Sequence, residues 1–269
     1  MFDFNSAKER VDKVTNRTHL FYSDYFSGIS NNNVYIKPEN LQKTGSFKIR
    51  GAYNKICKLS EEEKAKGIIT ASAGNHAQGV AFSANDLGID ATICMPEQTP
   101  MIKVDGTLKY GAKVDLFGEN FDACKDHALE RAEKEGLTFI PPFDDLDVIE
   151  GQGTISLEIL EDLEYVDYVI VPVGGGGLIA GVAKCIKQIS PLIKVIGVEP
   201  VSAASMKEAV KEGKVVKVKG VDTIADGTAV AEVGKYTYEI CKDYVDDWIT
   251  VTDEEVLMAF INLMERHKL

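Results

Sequence analysis

The sequence predicts an α/β protein whose strands run parallel. Short runs rich in β-branched residues recur along the 269 residues, and longer helical patterns follow most of them. This alternation is typical of βαβ units, in which a helix returns the chain to the same edge of the sheet. A composition of 45% hydrophobic and 27% charged residues indicates a globular protein with a sizeable core.

The β-branched runs and the helical patterns define the predicted elements. Strands are predicted at Val34–Lys37, Gly67–Ala71, Ala91–Met95, Lys113–Phe117, Tyr168–Val173, Lys194–Val198 and Trp248–Val251. Helices are predicted at Phe47–Leu59, Asn75–Leu87, Met101–Tyr110, Asp122–Glu135, Thr154–Leu163, Leu178–Gln188, Ala203–Glu212 and Asp253–His267. The last helix opens with Asp253-Glu-Glu, which places acidic side chains at the positive end of the helix dipole.

The predicted elements divide the chain into two domains. The stretch Gly67–Phe117 forms a βαβαβ pattern, which predicts a compact small domain. We expect this small domain at residues 51–146, inserted into a larger domain formed by residues 1–50 and 147–269. The chain is expected to cross back near Pro141–Asp145.

Charge and composition exclude several classes of protein. The net charge of −12 argues against a nucleic-acid partner, since no basic block is present to neutralise phosphates. The first residues lack a signal-peptide pattern, and no apolar run reaches the ~18 residues of a membrane span. The five cysteines are scattered and the four histidines are not at ligand spacing, which indicates reduced core thiols and a cytoplasmic protein.

Lys48 is placed unlike a solubility charge. It lies between Phe47 and Ile49, directly after a Thr44-Gly-Ser turn. An ordinary lysine amine titrates near ~10.4 and is a poor nucleophile at neutral pH. Burial, or a neighbouring cation such as Arg50, would lower the pKa of Lys48 and free its amine to form a Schiff base.

A second motif, Ser72-Ala-Gly-Asn-His-Ala-Gln-Gly79, joins a predicted strand to a predicted helix. Its small residues let backbone N–H groups approach a ligand, and the helix N-terminus favours an anion. The Asn75 amide can donate a hydrogen bond to a ligand oxygen. Such turns also occur without a ligand, so the motif alone leaves both interpretations open.

The third motif is Val171-Pro-Val-Gly-Gly-Gly-Gly-Leu178. Four consecutive glycines cost backbone entropy, and they make physical sense where several N–H groups converge on a phosphate. A rival interpretation is a dinucleotide fingerprint, with Gly175-x-Gly177-x-x-Ala180 followed by the acid Glu199. A dinucleotide enzyme has no need of the other two motifs, so a phosphate cradle is favoured.

Together, the lysine segment, the Asn75 loop and the tetraglycine resemble the threonine dehydratase (threonine ammonia-lyase) branch of the fold-type II enzymes, which use pyridoxal phosphate (PLP). The resemblance runs from about Val34 to the C-terminus. It implies two parallel-sheet α/β domains with the cofactor in the cleft between them. It also implies a homodimer or homotetramer that acts on a small amino acid.

The resemblance assigns a role to each motif residue. Lys48 would form the Schiff base with PLP, Phe47 would pack beside the pyridine ring, and Asn75 would bond the phenolic oxygen. The phosphate would be held by Gly174, Gly175, Gly176, Gly177 and Leu178. The substrate carboxylate would be lined by Ser46, Ser72, Ala73, Gly74 and His76.

The implied reaction is the dehydration and deamination of L-threonine to 2-oxobutanoate and ammonia, and of L-serine to pyruvate. It belongs to threonine catabolism or to isoleucine biosynthesis. Alternatives of the same fold are a serine racemase and a β-replacement synthase. A non-catalytic protein that binds PLP or an amino acid is an alternative of another class.

The sequence departs from the related enzymes in three places. Where serine racemases carry a second serine as acid/base, this chain has Ala73, which disfavours racemisation. Those racemases also bind a metal after the next strand; Glu199 and Ala203 match their ligands, but Ser205 replaces an aspartate. No metal is therefore expected. Family members continue beyond Leu269 through a strand that meets the pyridine nitrogen, so we expect a C-terminally shortened chain.

Overall fold

A computed structural model describes residues 2–269. Its strands are β1 (Phe21–Tyr22), β2 (Tyr35–Ile36), β3 (Ile68–Ala71), β4 (Ala91–Met95), β5 (Lys113–Leu116), β6 (Thr138–Phe139), β7 (Tyr168–Pro172), β8 (Lys194–Pro200) and β9 (Asp247–Val251). Its α-helices are α1 (Phe4–Val11), α2 (Asp24–Ser30), α3 (Lys48–Cys57), α4 (Glu61–Lys66), α5 (Asn75–Asp86), α6 (Met101–Leu108), α7 (Phe121–Glu135), α8 (Leu146–Asp162), α9 (Gly177–Ile189), α10 (Ser205–Glu212), α11 (Lys235–Tyr244) and α12 (Asp253–Asn262).

The chain forms two compact units. The first contains residues 2–15 and 42–152, and the second contains residues 16–41 and 153–269. The change from one to the other falls inside α8. The predicted small domain at 51–146 and large domain at 1–50 and 147–269 stay a prediction.

The first unit is built on a parallel sheet with the strand order β5-β4-β3-β6. All four residues of the central strand β3 are buried, as expected for a parallel sheet covered on both faces. Ile68 and Ile93 pack with the apolar face of α5, while Ile69 and Cys94 pack with α7. The two side-chain directions of each strand therefore supply two separate cores.

Helices α3 and α5 of this unit pack closely against each other. The close approach depends on Gly79, because a Cβ at this position would lie 3.2 Å from the Lys48 carbonyl carbon and 3.2 Å from the Ile49 nitrogen. The last residue of the second motif thus allows α5 to lie directly against the start of the lysine helix.

The second unit contains the parallel sheet β7-β8-β9. Along β7, Val169 and Val171 are buried, whereas Tyr168 and Ile170 are exposed. Helix α9 packs on this sheet and on α11, and its buried side includes Ile179 and Val182. Because the strands are parallel, their carboxyl ends share one edge of the sheet. The loop from β7 to α9 begins at this edge.

The predicted α/β class with parallel strands is confirmed, and several boundaries differ. The first predicted strand is not part of a parallel sheet; Tyr35–Ile36 pairs antiparallel with Phe21–Tyr22. Helix α8 begins at Leu146 rather than at Thr154. It includes the glycines at 151 and 153, which the prediction left outside the helix. Strands β1 and β6 and helices α1, α2, α4 and α11 were not predicted.

The end of the chain also differs from the prediction. The helix expected to continue to His267 changes after Asn262 into a π-helical turn, Leu263–His267. The predicted helix from Ala203 begins only at Ser205, after the 3₁₀ turn Val201–Ala203. None of the helices in residues 2–269 combines the length and the apolar character needed to cross a bilayer.

Candidate active site

Lys48 is the first residue of α3, and its amine points to a backbone carbonyl. Nζ donates a hydrogen bond of 2.7 Å to the Pro142 carbonyl oxygen and lies 5.5 Å from the centroid of the Phe47 ring. Burial lowers the pKa of the Lys48 amine to about 8. Of the two causes considered from the sequence, burial is therefore the one that acts.

The turn before Lys48 is fixed by Ser46. This side chain is buried, and its Oγ accepts a hydrogen bond of 3.3 Å from the Lys48 backbone N–H. Gly45 in the same turn has a φ of 72°, which a side-chain-bearing residue rarely adopts. The Thr-Gly-Ser sequence thus sets the direction in which α3 and its first side chain leave the turn.

The Asn75 loop connects β3 to α5, as predicted. Ser72 accepts a hydrogen bond of 3.3 Å from the Gly74 N–H, and Gly74 occupies the N-cap position of α5. The side chain of Asn75 is exposed, and Ala73 packs partly against the core of the first unit. The loop therefore presents an amide and a helix N-terminus to solvent, a combination that suits an anionic ligand.

His76 is almost completely buried, with 3% of its surface exposed. Its Nε2 lies 3.0 Å from the Ile140 carbonyl oxygen, which also accepts a bond of 2.7 Å from Thr70 Oγ1. Because a carbonyl only accepts, Nε2 carries the proton and Nδ1 keeps its lone pair. Within residues 2–269, Nδ1 has no hydrogen-bond partner. Burial and the charge of Lys48 lower the pKa of His76 to about 3, so the ring is neutral.

Two backbone carbonyls thus orient the side chains of His76 and Lys48. Neither carbonyl was predicted as part of the site. Ile140 and Pro142 follow β6 at alternate positions, and they hold His76 and Lys48 respectively. The sequence offered only the Pro141-Pro142 pair as a signal, which was interpreted as a domain crossing. Carbonyl oxygens belong to every residue, so side-chain motifs do not reveal them.

The tetraglycine connects β7 to α9 in the second unit. Gly176 is the N-cap of α9 with a φ of 92°, and a Cβ there would meet Met206 Cε at 2.4 Å and Thr237 Cβ at 2.9 Å. A Cβ on Gly174 would lie 3.0 Å from the Thr228 Cα. Neighbouring chain therefore fills the space on the side where a Cβ would project, and only glycine fits at these positions.

The first turn of α9 leaves its backbone N–H groups available. In the described part of the chain, no side chain caps this helix, whose first two residues are Gly177 and Leu178. The Gly175 carbonyl is held by Thr237 Oγ1 at 2.8 Å. Converging N–H groups at an uncapped helix start, where the dipole is positive, suit a phosphate.

Glu199 and Ala203 lie beside α10 in the same unit. The two carboxylate oxygens of Glu199 accept hydrogen bonds of 2.8 Å from the N–H groups of Met206 and Lys207. Burial raises the pKa of Glu199 to about 7, although these two N–H groups oppose the shift. Glu199 therefore acts as an acceptor for the start of α10, and Ala203 is buried in the preceding turn.

Comparison with known proteins identifies the family. A family model described as pyridoxal-phosphate dependent enzyme matches residues 11–269. The chain belongs to this family. The cofactor predicted from the three motifs is therefore confirmed as PLP, and the fold-type II class is confirmed with it.

Individual members of the PLP family resemble the chain along nearly its whole length. It is 50% identical over 266 residues to an L-threonine ammonia-lyase of Thermotoga maritima, and the match covers 99% of this chain and 66% of that protein. The processed form of threonine deaminase isoform 2 from Solanum lycopersicum has a TM-score of 0.96 at 47% identity, covering 99% of this chain and 78% of that structure. A serine racemase from Dictyostelium discoideum has a TM-score of 0.93 at 37% identity, covering 99% of this chain and 85% of that structure.

The chain thus spans about two thirds of the length of its Thermotoga relative. The residues present fit the cofactor of the family. Lys48 offers an amine of lowered pKa for the aldehyde of PLP, and the start of α9 offers N–H groups for its phosphate. The glycines at 174 and 176 let the loop pack closely on Thr228, Met206 and Thr237, and this packing fixes the start of α9.

Proposed function

We propose that this chain dehydrates and deaminates L-threonine to 2-oxobutanoate and ammonia, and L-serine to pyruvate. The observation that carries the proposal is the Lys48 amine, held on the Pro142 carbonyl with its pKa lowered to about 8. The names of the Thermotoga and Solanum relatives support the reaction. When bound, PLP supplies an electron sink that makes the α-proton of the amino acid acidic.

Lys48 has two tasks in this proposal. Its amine would hold the cofactor covalently, and once the substrate has taken its place, the neutral amine would accept the α-proton. An amine with a pKa near 8 is partly neutral at physiological pH, whereas a lysine near ~10.4 is almost entirely protonated. The hydrogen bond to Pro142 keeps the amine in place between these two events.

The remaining site residues position the ligands. Phe47 would pack beside the cofactor ring, Asn75 would bond its phenolic oxygen, and the backbone of Gly174, Gly175, Gly176, Gly177 and Leu178 would hold its phosphate. Ser46, Ser72, Ala73, Gly74 and His76 form the substrate carboxylate site. His76 would line this site without bonding the carboxylate, because its Nε2–H is donated to the Ile140 carbonyl and its Nδ1 lone pair can only accept.

Elimination is favoured over racemisation. Inversion at the α-carbon needs a proton donor on the face opposite the lysine, and the methyl side chain of Ala73 has no proton to give. Serine racemase activity would require such a donor, whereas elimination requires only Lys48. β-Replacement would need a pocket for a second, nucleophilic substrate, and the sequence does not reveal one.

The proposal extends to the setting of the enzyme. We place it in the cytoplasm, as a homodimer or homotetramer, in threonine catabolism or isoleucine biosynthesis. The free state of the five cysteines supports a reducing compartment. The larger domain at 1–50 and 147–269 and the smaller one at 51–146 are part of this proposal.

The test is release of 2-oxo acid from L-threonine by the purified chain, with and without added PLP. Product is expected only with PLP, and Lys48→Ala is expected to abolish it. Lys43→Ala is the matched control, because Lys43 is an exposed lysine five residues earlier. A folded chain that holds PLP on Lys48 but forms no oxo acid from either threonine or serine would contradict the lyase proposal. D-serine formed from L-serine would instead support the racemase.

A further inference from the structure

A cluster of sulfur, nitrogen and oxygen donors lies in the first unit, apart from the residues discussed above. Cys94 on β4 is the direct strand partner of Asp115 on β5. His127 reaches the same place from α7, with Nε2 2.9 Å from Asp115 Oδ2. The sulfur of Cys94 lies 3.9 Å from the same oxygen, and the three donor atoms lie within 4.8 Å of one another.

These separations suit a small tetrahedral cation. Bonds of about 2.0–2.3 Å to sulfur, nitrogen and oxygen place the ligand atoms of a tetrahedral Zn²⁺ about 3.3–3.8 Å apart. The distances of 2.9 and 3.9 Å to Asp115 Oδ2 lie on either side of this range, and all three donor atoms lie within 4.8 Å of one another, so modest side-chain movements would bring them to coordination geometry.

A second thiol, that of Cys124, lies near these three donors. Cys124 lies on α7 three residues before His127, so the two side chains share one face of the helix. Its side chain is fully buried and packs in the same cluster as Cys94. Two thiols, an imidazole and a carboxylate form the type of mixed set that binds zinc in proteins.

The surroundings also fit a metal centre. Arg131 donates a bond of 2.6 Å to Asp115 Oδ2, the oxygen that also faces His127 and Cys94, and is itself paired with Glu135 at 2.7 Å, so the position of this carboxylate is fixed. The His127 ring is held by stacking on Phe117, with centroids 3.8 Å apart. The two thiols are fully buried, while about a fifth of the His127 side chain and a quarter of the Asp115 side chain are exposed, which gives a cation access from one side.

We propose that Cys94, Asp115 and His127, with the neighbouring thiol of Cys124 as the fourth donor, form a binding site for a thiophilic divalent cation, with Zn²⁺ as the best match. Each thiol loses its proton to solvent as its sulfur–metal bond forms. The bound ion joins β4 and β5 to α7 and so stabilises the first unit. Without an ion, the burial of both sulfurs raises the pKa of Cys94 to about 12 and that of Cys124 to about 11, so both remain thiols.

The alternative for the same residues is an ion-pair network that packs α7 on β5, with no metal. A titration of chelator-treated chain with Zn²⁺, against a chromophoric chelator, separates the two. We expect one ion per chain. Cys94→Val and His127→Gln should each weaken binding roughly tenfold or more, since each removes a ligand. Cys94→Val keeps the buried volume, and His127→Gln keeps a polar side chain on Asp115.

Cys57→Ala is the matched control, because Cys57 is a partly buried thiol of the same unit that lies outside the cluster. The Cys57→Ala variant should bind Zn²⁺ with the same affinity as the unaltered chain. Titration with Co²⁺ gives an independent readout, since a sulfur-to-metal absorption band should appear and should decrease in Cys94→Val and in Cys124→Ala. Folded chain that binds no Zn²⁺, or variants at Cys94 and His127 that bind as tightly as Cys57→Ala, would overturn the proposal.

Discussion

Gly176→Ala tests the requirement for glycine at the start of α9. The residue has a φ of 92°, and left-handed backbone costs a residue with a Cβ roughly 1–2 kcal/mol. The new methyl would lie 2.4 Å from Met206 Cε and 2.9 Å from Thr237 Cβ, in a region where both side chains are fully buried. Overpacking of this kind costs a further 1–3 kcal/mol or so.

Gly213→Ala is the matched control, because Gly213 has a φ of 71° but no neighbouring atom lies within 4 Å of the position that a Cβ would take. Both variants carry the backbone cost, and both gain the same small entropy benefit from the unfolded chain. Urea unfolding should therefore show Gly176→Ala about 1–3 kcal/mol less stable than Gly213→Ala. Equal free energies of unfolding would refute the steric argument.

The same pair of variants tests the phosphate cradle. Gly176→Ala should bind PLP at least about tenfold more weakly, since the loss of one or two converging N–H contacts costs ~1.4 kcal/mol or more. Pyridoxal, which lacks the phosphate, should bind the two variants almost equally. An equal loss for PLP and pyridoxal would mean that the loop does not hold the phosphate.

Three further predictions concern single residues. The rate at which Lys48 captures PLP should rise about tenfold per pH unit up to pH 8 and then level off, measured by stopped-flow absorbance, whereas a lysine titrating near ~10.4 would keep accelerating. His76 should stay neutral in the folded chain, so it contributes a loss of about 1.4 kcal/mol of stability per pH unit as the pH falls from 6 to 4, because only the unfolded chain takes up its proton. Urea unfolding of His76→Gln beside the unaltered chain isolates this contribution, since the raised pKa of Glu199 gives both chains the same opposing slope. Thr237→Val should cost about 1–3 kcal/mol by leaving the Gly175 carbonyl without its hydroxyl donor, and Thr237→Ser should restore most of it.

The sequence predicted the parts of the fold that follow from local patterns. Parallel strands such as Ala91–Met95 are continuous apolar runs bounded by turns, and the structure has that strand at the predicted residues. The start of α8 was missed, because the glycines at 151 and 153 are typical of a loop. Strand β1 and its antiparallel pairing with β2 were missed, because a two-residue strand carries no periodicity.

The candidate site could be predicted where it depends on residue type, but not where it depends on backbone groups or on residues far apart in sequence. Lys48 and the glycines at 174–177 could be proposed because the residue type itself suggests the chemistry. The carbonyls of Ile140 and Pro142 do not, and only the folded chain shows that they hold His76 and Lys48. The donor cluster was missed for a related reason: Cys94 and His127 are 33 residues apart and meet only because β4 lies beneath α7.

The most direct test of the central claim is the position at which PLP binds covalently. The chain is incubated with PLP, reduced with borohydride to fix the Schiff base, and digested for peptide mass spectrometry. We predict one label per chain on Lys48, whose buried amine has a pKa of about 8. Label spread over exposed lysines such as Lys43, with Lys48 unmodified in folded chain, would contradict the assignment of Lys48 as the cofactor lysine.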